Sequence, residues 1–105
     1  MNCMNNRNHN RLQDMKEGMH KVRSGLIRVL VRVRDNRIED IIISGDFILT
    51  PEYYIDEMEK SLLGVRVDRE EILKILKKFY EENDFQSPET YPEDFTDAIM
   101  KAINA

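Results

Sequence analysis

Residues 26–35 read LIRVLVRVRD and residues 37–44 read RIEDIIIS. In the first stretch Ile27, Val29, Val31 and Val33 alternate with Arg28, Leu30, Arg32 and Arg34. Strict alternation of this kind marks a half-buried strand with one dry face and one basic face. Asp35–Asn36 supplies a turn, and the second stretch supplies another strand running antiparallel to the first. The hairpin is thus expected to carry Arg28, Arg32 and Arg34 on one surface, with Leu30 and Ile42 among them. Upstream, MHKVR at 19–23 reads as a shorter strand, set off by Ser24–Gly25.

Beyond Ser44–Gly45–Asp46 the period changes from two to that of a helix. Thr50 suits an N-cap, Pro51 the first helical position and Gly64 the stop. Between them Ile55, Met58 and Leu62 make one apolar stripe. A second helix is expected from Asp68, where Asp68 and Glu71 have the spacing of a capping box. Its stripe is Ile72, Leu76 and Phe79, widened by Leu73, Ile75 and Tyr80. Residues 83–88 read as a loop, and a third helix begins near Pro92 with Phe95, Ile99, Ala102 and Ile103 inward. Strands grouped before helices predict an α+β domain: a small antiparallel sheet of about three strands with about three helices packed on one face.

The chain has 105 residues, 41% hydrophobic and 34% charged, with a net charge of −4. That length suits one domain with one modest core. Residues 1–18 show no apolar period and five of the first ten are Asn, so this segment reads as a disordered leader before a single domain at 19–105. No apolar run is long enough to span a bilayer, and the first residues lack the apolar stretch of a secretory signal. The lone Cys3 permits neither an internal disulfide nor a cysteine-built zinc site. A reducing, cytoplasmic setting is expected. Charge is uneven: residues 19–44 carry a net +3 and residues 45–105 a net −8. Acidic clusters such as Glu70–Glu71 and Glu93–Asp94 fall at helix starts, where the helix dipole favours them. No nucleophile–base pair, metal set or glycine-rich phosphate loop is visible, which argues against a free-standing enzyme.

HKVRSGLIRV at 20–29, IEDIIISGDFILTPE at 38–52 and MEKSLLG at 58–64 resemble the C-terminal accessory domain of lipoate–protein ligase A. Ser-Gly-Asp-Phe followed by Pro-Glu is the most specific part. The chain departs in having Ser24–Gly25 where the family usually has two glycines, and Ile48 where a second aromatic is common. In many bacteria this domain follows the catalytic domain on one chain; in some archaea it is a separate small polypeptide.

The resemblance implies a non-catalytic subunit needed for ATP-dependent activation of lipoate to lipoyl-AMP, before transfer to a lysine of a lipoyl-carrier domain. It implies a catalytic large subunit as partner and lipoyl-carrier domains as indirect ones. It also implies that lipoate, ATP and Mg are held by that partner and none by this chain alone, with no nucleic acid and no membrane involved. Lys21, Gly25, Arg28, Arg32, Gly45, Asp46 and Phe47 are the residues expected to meet the partner or support adenylation. Lys21 would bring an ammonium near phosphate, Gly45 would permit a conformation closed to other residues, and Phe47 is expected in the core. His20 stands without a ligand set and is expected to be structural or solvated. The alternative is a small binding module that uses the basic sheet face for RNA or protein, although residues 26–44 contain no aromatic on which a base could stack.

Overall fold

A computed structural model describes residues 15–105. Strands β1 (Lys16–Val22), β2 (Gly25–Arg34) and β3 (Arg37–Asp46) form one antiparallel sheet in that order. Helices α1 (Tyr53–Leu62), α2 (Arg69–Glu82) and α3 (Pro92–Ile103) follow on one face of it, α1 and α3 against the strands and α2 against the other two helices. The expected α+β architecture is the one that forms.

The hairpin of β2 and β3 closes through Asp35 (φ 54°) and Asn36 (φ 65°). Two successive left-handed residues give the turn whose twist matches that of the flanking strands. Ile27, Val29 and Val31 are fully buried, but Val33, expected on the same dry face, is 36% exposed near the hairpin tip. The register shifts just before it: Arg32 opposes Asp40 while Val33 opposes Ile38, leaving Glu39 as an extra residue in β3. This bulge changes the phase of β3, so Ile38 and Ile41, three positions apart, are both buried.

Strand β1 begins at Lys16, so residues 16–18 belong to the sheet and not to the expected leader; residues 1–14 lie outside the described residues. Two charged residues and a glycine hide the alternation there. Gly18 is nevertheless tightly placed, since a Cβ on it would lie 2.2 Å from the Ala102 nitrogen. Only a bare backbone lets α3 approach β1 this closely.

Strand β3 also runs two residues further than expected, through Asp46, because Leu26 pairs with Asp46 and Ile27 with Gly45. The start of α1 differs as well. Thr50 does not cap it: its N–H and C=O are both used by Gln86, at 2.9 and 2.8 Å, and the helix starts at Tyr53. Pro51 therefore lies ahead of the first turn. Gly64 (φ 82°) ends the segment as expected. The side chain of Asp68 makes no capping bond, whereas Asp94 accepts the Tyr91 N–H at 2.9 Å and so closes the start of α3. Met58, Leu62, Ile72, Leu76, Phe95, Ile99 and Ala102 are fully buried between helices and sheet. Among the described residues no helix is long and apolar enough to cross a membrane.

Candidate functional site

With helices on one face, the other face of the sheet lies open, and its residues follow from the register. Lys21, Leu26 and Asp46 form one row; Met19, Arg28 and Ser44 the next; Glu17, Leu30 and Ile42 the third; Arg32 and Asp40 stand beyond them. Leu30 and Ile42 are only partly exposed and form an apolar centre, with Met19 (51% exposed) toward the β1 edge.

The arginines of this face are engaged by their neighbours. Arg28 pairs with Glu17 across β1. Arg32 donates through Nε to Glu39 at 3.0 Å and through Nη2 to Asp40 at 3.5 Å, and Arg34 reaches the second oxygen of Glu39 at 3.4 Å. The bulge makes this possible by placing two successive carboxylates within reach of one guanidinium. The surface expected to be basic is therefore an apolar centre framed by charge-neutral clusters. Reading β2 alone shows the cations; the anions come from β1 and β3, and only the register brings them together. The physical basis of an RNA-binding face is much reduced.

Lys21, Gly25, Gly45, Asp46 and Phe47 gather at the end of the sheet beside the β1–β2 turn, whereas Arg32 lies near the far end and Arg28 between them. Gly25 (φ 150°) and Gly45 (φ 130°) both need their missing side chains: a Cβ would fall 1.6 Å from the Asp46 oxygen in the first case and 2.1 Å from the Leu26 oxygen in the second. Asp46 uses a carboxylate oxygen to accept the Leu26 N–H at 2.8 Å. Phe47 meets Phe95 edge-on at 5.3 Å, as a core residue. Lys21 borders a shallow hollow of about 530 Å³, lined also by Arg23, Glu89, Tyr91 and Asp94. Gly25, Gly45, Asp46 and Phe47 thus shape this end of the domain, and Lys21 and Tyr91 are exposed there together with Arg23 and Glu89, which pair with each other.

His20 is the residue whose surroundings sequence reasoning did not find. Lys101 lies 2.9 Å from its Nδ1 and Asp94 lies 3.4 Å from its Nε2. An ammonium can only donate, so Nδ1 accepts and the imidazole proton sits on Nε2, toward the carboxylate. Both partners come from α3, Lys101 lying 81 positions further along the chain, and no local spacing signals them. The arrangement ties β1 to α3, in keeping with a structural role. Among the described residues no group of three or more His, Cys, Asp or Glu side chains has the geometry to hold a metal ion.

Comparison with known proteins agrees with the architecture. Residues 15–99 match the family described as bacterial lipoate protein ligase C-terminus. The chain is 42% identical over 79 residues to lipoate-protein ligase A subunit 2 of Thermoplasma acidophilum, an alignment covering 75% of this chain and 81% of that protein. A solved chain from the study of a bi-partite lipoate protein ligase and its E2 lipoyl domain, also from Thermoplasma acidophilum, superposes with a TM-score of 0.73 at 40% identity, covering 81% of this chain and 93% of that one. This chain belongs to the lipoate protein ligase C-terminal family.

Proposed function

We propose that this chain is the non-catalytic accessory subunit of a two-chain lipoate–protein ligase, required in the cytoplasm for ATP-dependent activation of lipoate to lipoyl-AMP before transfer to a lipoyl-carrier lysine. The observation that carries the reading is the 42% identity, over 75% of this chain and 81% of the relative, with a protein named as a second ligase subunit. In this reading the catalytic large subunit holds lipoate, ATP and Mg, and meets lipoyl-carrier domains; this chain shapes or closes the adenylation site. The open sheet face supports the role, because an apolar centre framed by self-satisfied ion pairs gives a partner area to bury without stranding charge. Lys21 is the cation at the accessible end of that face, available to a phosphate on the partner.

Reconstitution tests the proposal. Lipoate-dependent ATP–pyrophosphate exchange is expected from the mixture of catalytic and small chains and not from the small chain alone. Robust exchange by the purified small chain, or exchange by the catalytic chain that is indifferent to its addition, overturns the accessory role. Within the complex, Lys21→Ala is expected to slow lipoyl-AMP formation by roughly ten- to a hundredfold while transfer from supplied lipoyl-AMP continues nearly unchanged. Equal slowing of both half-reactions removes Lys21 from the activation step.

A further inference from the structure

The two edges of the sheet are treated very differently. Along β3, the Ile38 N–H donates to Val65 and its carbonyl accepts from Gly64, while the Ile43 N–H donates to the Glu59 carboxylate at 2.7 Å and the Ile41 N–H to Asp40. That edge is closed by side chains and by the segment after α1. Along β1 the turn fixes which groups face outward. Val22 and Gly25 flank a two-residue turn and form a hydrogen-bonded pair, so by alternation Val22, His20, Gly18 and Lys16 bond to β2. The N–H and C=O groups of Glu17, Met19 and Lys21 point away from the sheet, and among the described residues nothing pairs with them. An open edge of this kind is a template for another strand.

We infer that β1 pairs antiparallel with β1 of a second copy of this chain, about a two-fold axis at Met19, joining two three-stranded sheets into one of six strands. The side chains select this occupant. With Met19 opposite Met19, Glu17 of one copy stands opposite Lys21 of the other, and the symmetry repeats the pair on the far side. A two-fold contact must be self-complementary, and acid, methionine, base at 17, 19 and 21 is a self-complementary order. The same register sets the outward backbone groups of 17, 19 and 21 against their counterparts as hydrogen-bonded pairs. On the helix side it sets Gly18 opposite His20, leaving room for the imidazole. The Lys21 side chain has no ion-pair partner within the described chain, and pairing supplies one. A contact of a few residues buries less than a standard interface, so the dimer is a reversible one. The inference does not depend on the ligase reading, since it concerns the chain by itself.

Sedimentation equilibrium on the full chain, up to millimolar concentration, tests it. The wild type is expected to dimerise. Lys21→Glu and Glu17→Lys each place like charges opposite one another twice and are expected to weaken self-association about tenfold or more. Mixing those two variants restores both attractions and is expected to give a heterodimer stronger than either variant forms with itself, although Glu17→Lys also takes away the partner of Arg28. Circular dichroism of each variant establishes that the fold is kept. A wild type that stays monomeric, single reversals without effect, or a mixture that stays monomeric overturns the inference. So does a monomeric wild type whose capture by the catalytic chain is blocked by the same reversals, for the edge then belongs to that chain.

Discussion

The two faces of the sheet come from the same three strands yet differ in how their residues are satisfied. On the helix side, burial does the selecting: Ile27, Val29 and Val31 share one apolar cluster with Phe95, Ala98 and Ile99. On the open side, pairing does it: each guanidinium of β2 finds a carboxylate on a neighbouring strand. Apolar burial is additive along a strand and can be read locally, whereas charge satisfaction depends on register. Large energies should therefore lie on the helix side and small ones on the open side.

The largest effect is expected at Phe95, fully buried beneath the sheet. Phe95→Ala should cost about 3–5 kcal/mol in urea-monitored unfolding. Gly18→Ala comes next, at about 1–3 kcal/mol, because the obstructing atom is the Ala102 backbone and not a mobile side chain. A tolerated alanine there would show that α3 can move away from β1. In the helical layer Tyr80 supplies a pH-dependent contrast. Burial pushes its hydroxyl up to about 12, and the group bonds Ser87 at 3.0 Å. The folded state thus favours the protonated phenol, so stability is fully present below pH 10 and falls as pH rises from about 10 toward 12. Denaturant midpoints across that window should drop in the wild type and lose this component in Tyr80→Phe.

The smallest effect belongs to the open face. Arg32→Gln should change stability by about 1 kcal/mol, since its ion pairs are only partly screened by solvent and the amide can still hydrogen-bond the same carboxylates. Ile42→Glu should likewise leave unfolding little altered, yet weaken activation with the catalytic chain in a way that higher subunit concentration rescues. If Ile42→Glu leaves the association constant unchanged, the catalytic chain docks elsewhere than on this face.

This contrast accounts for what was legible in the sequence. The hairpin at 26–44, the three apolar helical stripes and the α+β order were visible because each rests on a local period. The start of β1 was not, because Lys16, Glu17 and Gly18 interrupt the alternation while Gly18 is held by a helix more than 80 residues away. A truncation after residue 14 spares this strand; one after residue 18 removes the glycine that α3 packs against. The helix start at Thr50–Pro51 was misread for a related reason: the bonding partner of Thr50 is Gln86, beyond α2. At the candidate site, the glycines and Phe47 were recognisable from residue type, but the neutralised arginines were not. The carboxylate of Arg28 comes from β1, and those of Arg32 and Arg34 are brought within reach by a bulge that has no plain local signature.

The contact between the ammonium of Lys16 and the carbonyl of Ile103 joins positions 87 residues apart. During translation the first strand emerges well before the helix that covers its inner face. At the usual synthesis rate of roughly 5–20 residues per second, that interval is roughly 4–17 s. For those seconds the nascent chain presents β1 with one face uncovered, and the hairpin of β2 and β3 can form ahead of it from local contacts alone. The domain is therefore closed by α3, made after the other two helices, and a stall before residue 95 would leave the sheet formed but its first strand unsealed.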